Sequence, residues 1–188
     1  MGNKNLTRED VIDAALKGRK LEGSKLENLD LSRTNLSGII LNRASLKRTD
    51  FTRANLRGSK LNQTDLREAI FLRANLSVAD LKNADLRNAN LESANLSGAA
   101  GNSYQSTPRI FGADLSGADL RNANLKNTIL VRVKLDYADL RGADLTGANM
   151  TRVSLQGTKY DIDAFDNVIN VWFLSVIGFI NEKENDIF

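Results

Sequence analysis

The sequence predicts an all-β solenoid, a chain wound into a column of short extended sides with its apolar residues inside. Three observations carry that reading. Between Arg73 and Leu96 leucine recurs at every fifth place, at Leu76, Leu81, Leu86, Leu91 and Leu96. An alanine stands two places before each, from Ala74 to Ala94, with Asn or Asp between the two. Asn, Asp, Ser and Gly, which bond locally to backbone and tolerate unusual dihedrals, fill the places between the pairs. A period of five fits neither standard element. On a helix successive leucines would sit about 140° apart and form no stripe. In one flat strand they would alternate between faces. A short extended segment that points its Ala and Leu the same way, followed by a corner, satisfies both facts, and a corner every five residues winds the chain into a coil.

The unit A-[D/N]-L-x-x resembles the repeat of the pentapeptide repeat family, and the resemblance covers most of the chain. It implies a right-handed quadrilateral β-helix (the Rfr fold) with four pentapeptides per coil. The sequence itself offers modest support for four sides. Phe51 and Phe71 are twenty apart, as are Arg33, Arg53 and Arg73, and Lys47, Arg67 and Arg87. The family includes bacterial members, notably cyanobacterial ones, many of them without an assigned role.

The chain divides into five parts of one domain. Residues 1–18 carry a capping helix over 7–17, with Thr7 as N-cap, Asp10 completing a capping box, and Leu6 and Val11 as a staple. Its apolar face is read as Val11, Ile12, Ala15 and Leu16, and Gly18 ends it. A helix there covers the open backbone and apolar core of the first coil. Residues 19–96 hold sixteen pentapeptides centred on Leu or Phe. Arg19, Leu29 and Ile39 stand where later repeats have small residues, so the first two coils are expected to deform or be wider there. Residues 97–112 break the pattern and contain the only proline, Pro108. Leu96 to Leu115 is 19 residues, which admits three distorted coil sides or a loop ejected at a corner; the polar run and the proline favour the loop. Residues 113–160 hold ten further repeats. Residues 161–188 read as a helix apolar on several sides, capped by Asp161 or Asp163, then a polar tail.

Composition narrows the function. Cysteine and histidine are absent, which removes disulfides, thiolate metal sites and the commonest general base and metal ligand. The net charge is +3 and apolar residues make up 41%, enough for a core. No catalytic, metal or cofactor motif is present. The recurring acids Asp80, Asp85, Asp114, Asp119, Asp139 and Asp144 follow the five-residue period and read as corner residues. The expected location is the cytoplasm, with no membrane span, since Val171 to Ile180 is shorter than the roughly 20 residues a bilayer needs.

The leading function is a non-enzymatic scaffold for protein–protein interaction. Three places carry candidate contacts. Ile70 and Leu72 flank an inward Phe71, and Ile129 and Val131 flank an inward Leu130; if the 97–112 segment counts as three sides, both pairs share one face. Tyr104, Arg109 and Phe111 lie in the segment that breaks the repeat. Trp172 and Phe173 lie in the final helix, where a homodimer contact is the further expectation. The columns Arg33, Arg53, Arg73 and Lys47, Arg67, Arg87 form a candidate anion strip for nucleic acid or an acidic protein, because stacked cations repel unless a counter-charge is present. Nucleic acid is not the expected partner. The alternative, implied by the resemblance alone, is the family role of a DNA mimic that binds DNA gyrase. It needs a strongly acidic surface, and the net basic charge disfavours it.

Overall fold

Each turn of the winding rests on one register. The computed structural model describes residues 6–98 and 112–169. Within them the residue before a central position pairs in parallel with its counterpart one coil on, twenty residues further except across the break after 98, as Asp30 with Asp50 and Asp50 with Ile70. A period of five and a register of twenty make four sides per coil. Face 1 stacks Lys20, Ile40, Lys60, Asp80, Asp114, Lys134 and Ser154. Face 2 stacks Lys25, Ser45, Asp65, Asp85, Asp119, Asp139 and Lys159. Face 3 stacks Asp30, Asp50, Ile70, Asn90, Asn124 and Asp144, and face 4 stacks Asn35, Asn55, Asn75, Asn95, Ile129, Asn149 and Ile169.

The repeat sequence follows from where its backbone donors go, since a buried N–H must find an acceptor. In the unit around Phe51, the Phe51 N–H donates to Ile70 O (2.7 Å) and the Arg53 N–H to Leu72 O (2.9 Å), both one coil on. The Asp50 N–H donates one coil back, to Leu29 O (2.9 Å). The Ala54 N–H closes the corner on Phe51 O (2.9 Å). The remaining donor, Thr52 N–H, bonds the Asp50 carboxylate at 2.7 Å. Asp and Asn are therefore face residues whose side chains reach into the corner, and not corner residues as the period alone suggests. The second corner residue takes positive φ, as at Arg53 (58°) and Gly58 (65°), the signature of a type II turn.

The central side chains fill the column: Leu76, Leu81, Leu86, Leu91 and Leu96 are wholly buried, and Phe51 stacks on Phe71 with ring centroids 5.0 Å apart. Buried threonines two places earlier turn their hydroxyls to the corner carbonyl, as Thr64 to Leu61 O (2.7 Å) and Thr128 to Leu125 O (2.7 Å). The first coils keep the common register through Leu29 and Ile39, with Leu31 N–H to Asp50 O at 2.8 Å.

Helix α1 spans Arg8–Leu16, with Thr7 as N-cap and the Thr7–Asp10 capping box formed. It buries Val11 and Ala14, while Leu16 is 76% exposed. The seat on the coil is thus Val11 and Ala14 with Ala15 packed beside them, while Leu16 of the expected face turns to solvent and Ile12 is half-buried. Gly18, at φ 62°, ends the helix, with Arg19 N–H donating to Ala14 O (2.8 Å). Arg8 ties the helix to the first coil by donating to Ser32 O at 2.7 Å.

At the other end no helix begins at 161. Residues 162–167 are turns, and Ile169 pairs with Asn149 in the register of face 4. Phe165, five after Tyr160, packs on the core and against the Tyr160 ring at 4.8 Å. The chain returns to the coil edge by 167–169, where the Gly147 N–H donates to Asn167 O (2.8 Å) and the Ile169 N–H to Ala148 O (2.7 Å).

Candidate interaction surface

The break in the repeat is settled by register. The four pairs Asp80–Asp114, Asp85–Asp119, Asn90–Asn124 and Asn95–Ile129 have offsets of 34 where the rest have 20, so fourteen residues are additional and replace no side. The Ala113 N–H donates to Leu96 O at 2.8 Å, the bond a two-residue corner makes elsewhere. The return is tight at Gly112, where a Cβ would stand 2.9 Å from Leu96 O and 3.0 Å from Val131 O. Tyr104, Arg109 and Phe111 lie outside the described residues, as do Trp172 and Phe173 and with them the expected dimer contact.

This register corrects the shared apolar face. Ile70 lies on face 3 and Ile129 on face 4, two coils apart, so the two pairs sit on adjacent faces. Ile70 is 38% and Ile129 42% exposed, with Leu72 and Val131 half-buried. Both isoleucines interrupt a run of caps. On face 3 Asp30, Asp50, Asn90, Asn124 and Asp144 each accept the following corner N–H, at 2.7–3.1 Å. On face 4 Asn35, Asn55, Asn75, Asn95 and Asn149 do the same. Ile70 and Ile129 have no acceptor to offer, and the N–H groups of Leu72 and Val131 make no bond among the described residues.

The two basic columns part company. Arg67 chelates Asp65 (Nε 2.8 Å, Nη2 2.6 Å) and lies 3.6 Å from Asp85. Arg87 chelates Asp85 and lies 3.5 Å from Asp119. Arg121 with Asp119, and Arg141 with Asp139, repeat the pattern down face 2. Lys47 pairs with Glu68 at 3.2 Å. Bonding to Arg67 holds the Asp65 carboxyl below its ordinary range, and Arg121 and Arg141 do the same for Asp119 and Asp139. Lys47, Arg67 and Arg87 are thus neutralised within the fold and offer no free anion strip. The signal was present in the sequence as Asp-Leu-Arg at 65–67, 85–87, 119–121 and 139–141. It is a pairing along the chain that the vertical spacing of twenty conceals.

Arg33, Arg53 and Arg73 differ. They occupy the positive-φ corner place between faces 3 and 4 in three successive coils, all exposed, and their side chains have no bonded or ion-paired partner among the described residues. Among those residues no group of His, Cys, Asp and Glu is placed to hold a metal ion, and no helix is long and apolar enough to cross a membrane.

The family model for pentapeptide repeats matches the chain in eight copies, over residues 12–48, 30–67, 49–83, 59–98, 113–152 and 128–159. The chain belongs to the pentapeptide repeat family. The family's right-handed quadrilateral β-helix is its fold, and the unmatched stretch between 98 and 113 is the insertion between coils. Among solved structures, this pentapeptide repeat protein is similar to Rfr23 from the cyanobacterium Cyanothece 51142, at 27% identity over 86% of this chain and 97% of that one, TM-score 0.45. It is similar to trypsin-treated QnrB1, a plasmid-mediated fluoroquinolone resistance protein, at 20% identity over 77% and 85%, TM-score 0.45. HetL, a pentapeptide repeat protein involved in heterocyst differentiation regulation in Nostoc sp. strain PCC 7120, shares 22% identity over 81% and 96%, TM-score 0.30. No curated protein matches the sequence.

Proposed function

We propose that this repeat scaffold is non-enzymatic and binds another protein through its side faces. The observation that supports the reading is the pair of apolar interruptions. At Ile70 and Ile129 the chain gives up a corner bond that its stacked neighbours make, and exposes an isoleucine beside Leu72 or Val131 instead. Winding and stacking favour Asn or Asp at both places, so the apolar residues answer to something outside the coil. The reading as a gyrase-binding DNA mimic draws less support. The carboxylates of face 2, its natural acidic stripe, are chelated by arginines of the same coils.

The test is cross-linked affinity capture from the native cell with the full chain and with the I70S/L72S/I129S/V131S variant. Unchanged circular dichroism with loss of specific partners is expected. An identical set of partners for both proteins would overturn the proposal.

A further inference from the structure

We infer that Arg33, Arg53 and Arg73, with Ile70 and Leu72 beside them, form one docking surface for an acidic amphipathic helix of a partner protein. The inference rests on the scaffold reading and specifies the chemistry of its partner. Face 2 shows how the fold handles stacked arginines, by placing a carboxylate two residues before each. The corner between faces 3 and 4 carries three arginines in successive coils and no such partner. No acid at this corner bonds them: Asp30 pairs with Arg8 (3.3 Å), Asp50 turns to its own corner and accepts from Thr52 N–H (2.7 Å), and Glu92, on whose backbone O the Arg73 N–H rests, accepts from Asn124 Nδ2 (3.4 Å). Three like charges one coil apart repel, and an external anion relieves that repulsion.

An apolar pair adjoins the ridge. Ile70 lies in the same coil as Arg73, on the face adjoining the ridge, and Leu72 shares the Arg73 corner. Phosphates offer these side chains nothing. A helix with an acidic stripe beside an apolar one answers both.

Spacing agrees. Two coil steps span about 9.6 Å, and carboxylates at i, i+3 and i+7 of a helix span about 10.5 Å. Alternate residues of an extended strand would span about 13 Å.

Fluorescence anisotropy on the full chain tests the inference. The probe is a labelled helical peptide with Glu at i, i+3 and i+7 and an adjoining leucine stripe, compared with its Gln counterpart and with a single-stranded oligothymidylate. At about 50 mM salt, where screening is modest, the Glu peptide is expected to bind and the Gln peptide not to. R33S/R53S/R73S and I70S/L72S should each weaken binding about tenfold. K20S/K25S/R152S, which removes the same net charge from exposed cations away from the ridge, should leave it within about twofold. Equal weakening by that control, or binding of the oligothymidylate in place of the peptide, overturns the inference. In the cell capture, loss of partners through I129S/V131S alone, with R33S/R53S/R73S unaffected, overturns the ridge while leaving the scaffold reading in place.

Discussion

At the scale of the residue, a position in this fold is explained by which backbone donor it serves. Asp and Asn before the central residue cap a corner N–H, and the second corner residue must accept positive φ. Val78 does so at φ 53°, a strained place for a β-branched side chain. Val78→Gly should therefore raise stability by about 1 kcal/mol, the relief of left-handed strain less the added flexibility of the unfolded chain, measured as the shift in urea midpoint. Ile70→Asn gives a sharper outcome. It restores a cap for the Leu72 N–H, a bond worth about 0.5–1.5 kcal/mol, and so the thermal midpoint should hold or rise while binding of the acidic peptide falls. A residue kept for stability would show the reverse. Much of this was legible: the inward leucines, the Thr7–Asp10 box and the Phe51–Phe71 stack can all be read from spacing. The missing corner bonds at Leu72 and Val131 were not, because the sequence shows which residues alternate but not which N–H each side chain reaches.

At the scale of the element, the insertion is an addition to a finished corner. Leu96 and Ala113 already hold the turn bond at 2.8 Å, and Ser97-Gly98 would supply the two corner residues. Removing residues 99–112 joins Leu96-Ser97-Gly98 to Ala113-Asp114-Leu115, the same motif that Leu115 to Leu120 already folds. The shortened chain should keep its far-ultraviolet spectrum and a thermal midpoint no lower than the parent, since closing a longer loop costs entropy. A collapse of the spectrum would show that the insertion supports the coils. The length of 19 between Leu96 and Leu115 left two readings open in the sequence, and only the pairing of Asp80 with Asp114 decides between them. The C-terminal segment teaches the complementary lesson. Its apolar spacing suits a helix, yet the chain crosses 162–167 in turns and rejoins the coil edge at Asn167 and Ile169, because an exposed edge of unpaired backbone groups is a strong template for further pairing.

At the scale of the whole molecule, charge is organised by face. The ion-pair ladder on face 2 and the capped acids of face 3 set the response to pH. Bonds from the Thr146 and Lys126 side chains pull the Asp144 carboxyl down to about 2, and Asp65, Asp119 and Asp139 are lowered in the same sense by their arginines. Carboxyls depressed on folding stabilise the native state above their unfolded pKa and lose that contribution as pH falls through the folded value. With no histidine or cysteine to titrate, the thermal midpoint should stay flat between about pH 5 and 8 and fall from about pH 4 towards 2. A midpoint that rises on acidification would contradict the ladder.

The sequence by itself determined the winding: which side chains go in, where the corners fall, that the first end carries a helix, and that no histidine or cysteine chemistry is available. It could do so because those properties depend on neighbours within five residues. The Asp-Leu-Arg pairs are local as well, but only the tertiary structure decided that the corner of Arg33, Arg53 and Arg73 leaves its cations without a bonded acid. Arg67 and Arg73 look alike in a column of twenty, but one finds a carboxylate two residues back and the other stands at a corner with none. Whether a side chain meets its counter-charge is a matter of where the coil turns it, and that direction is fixed by the fold.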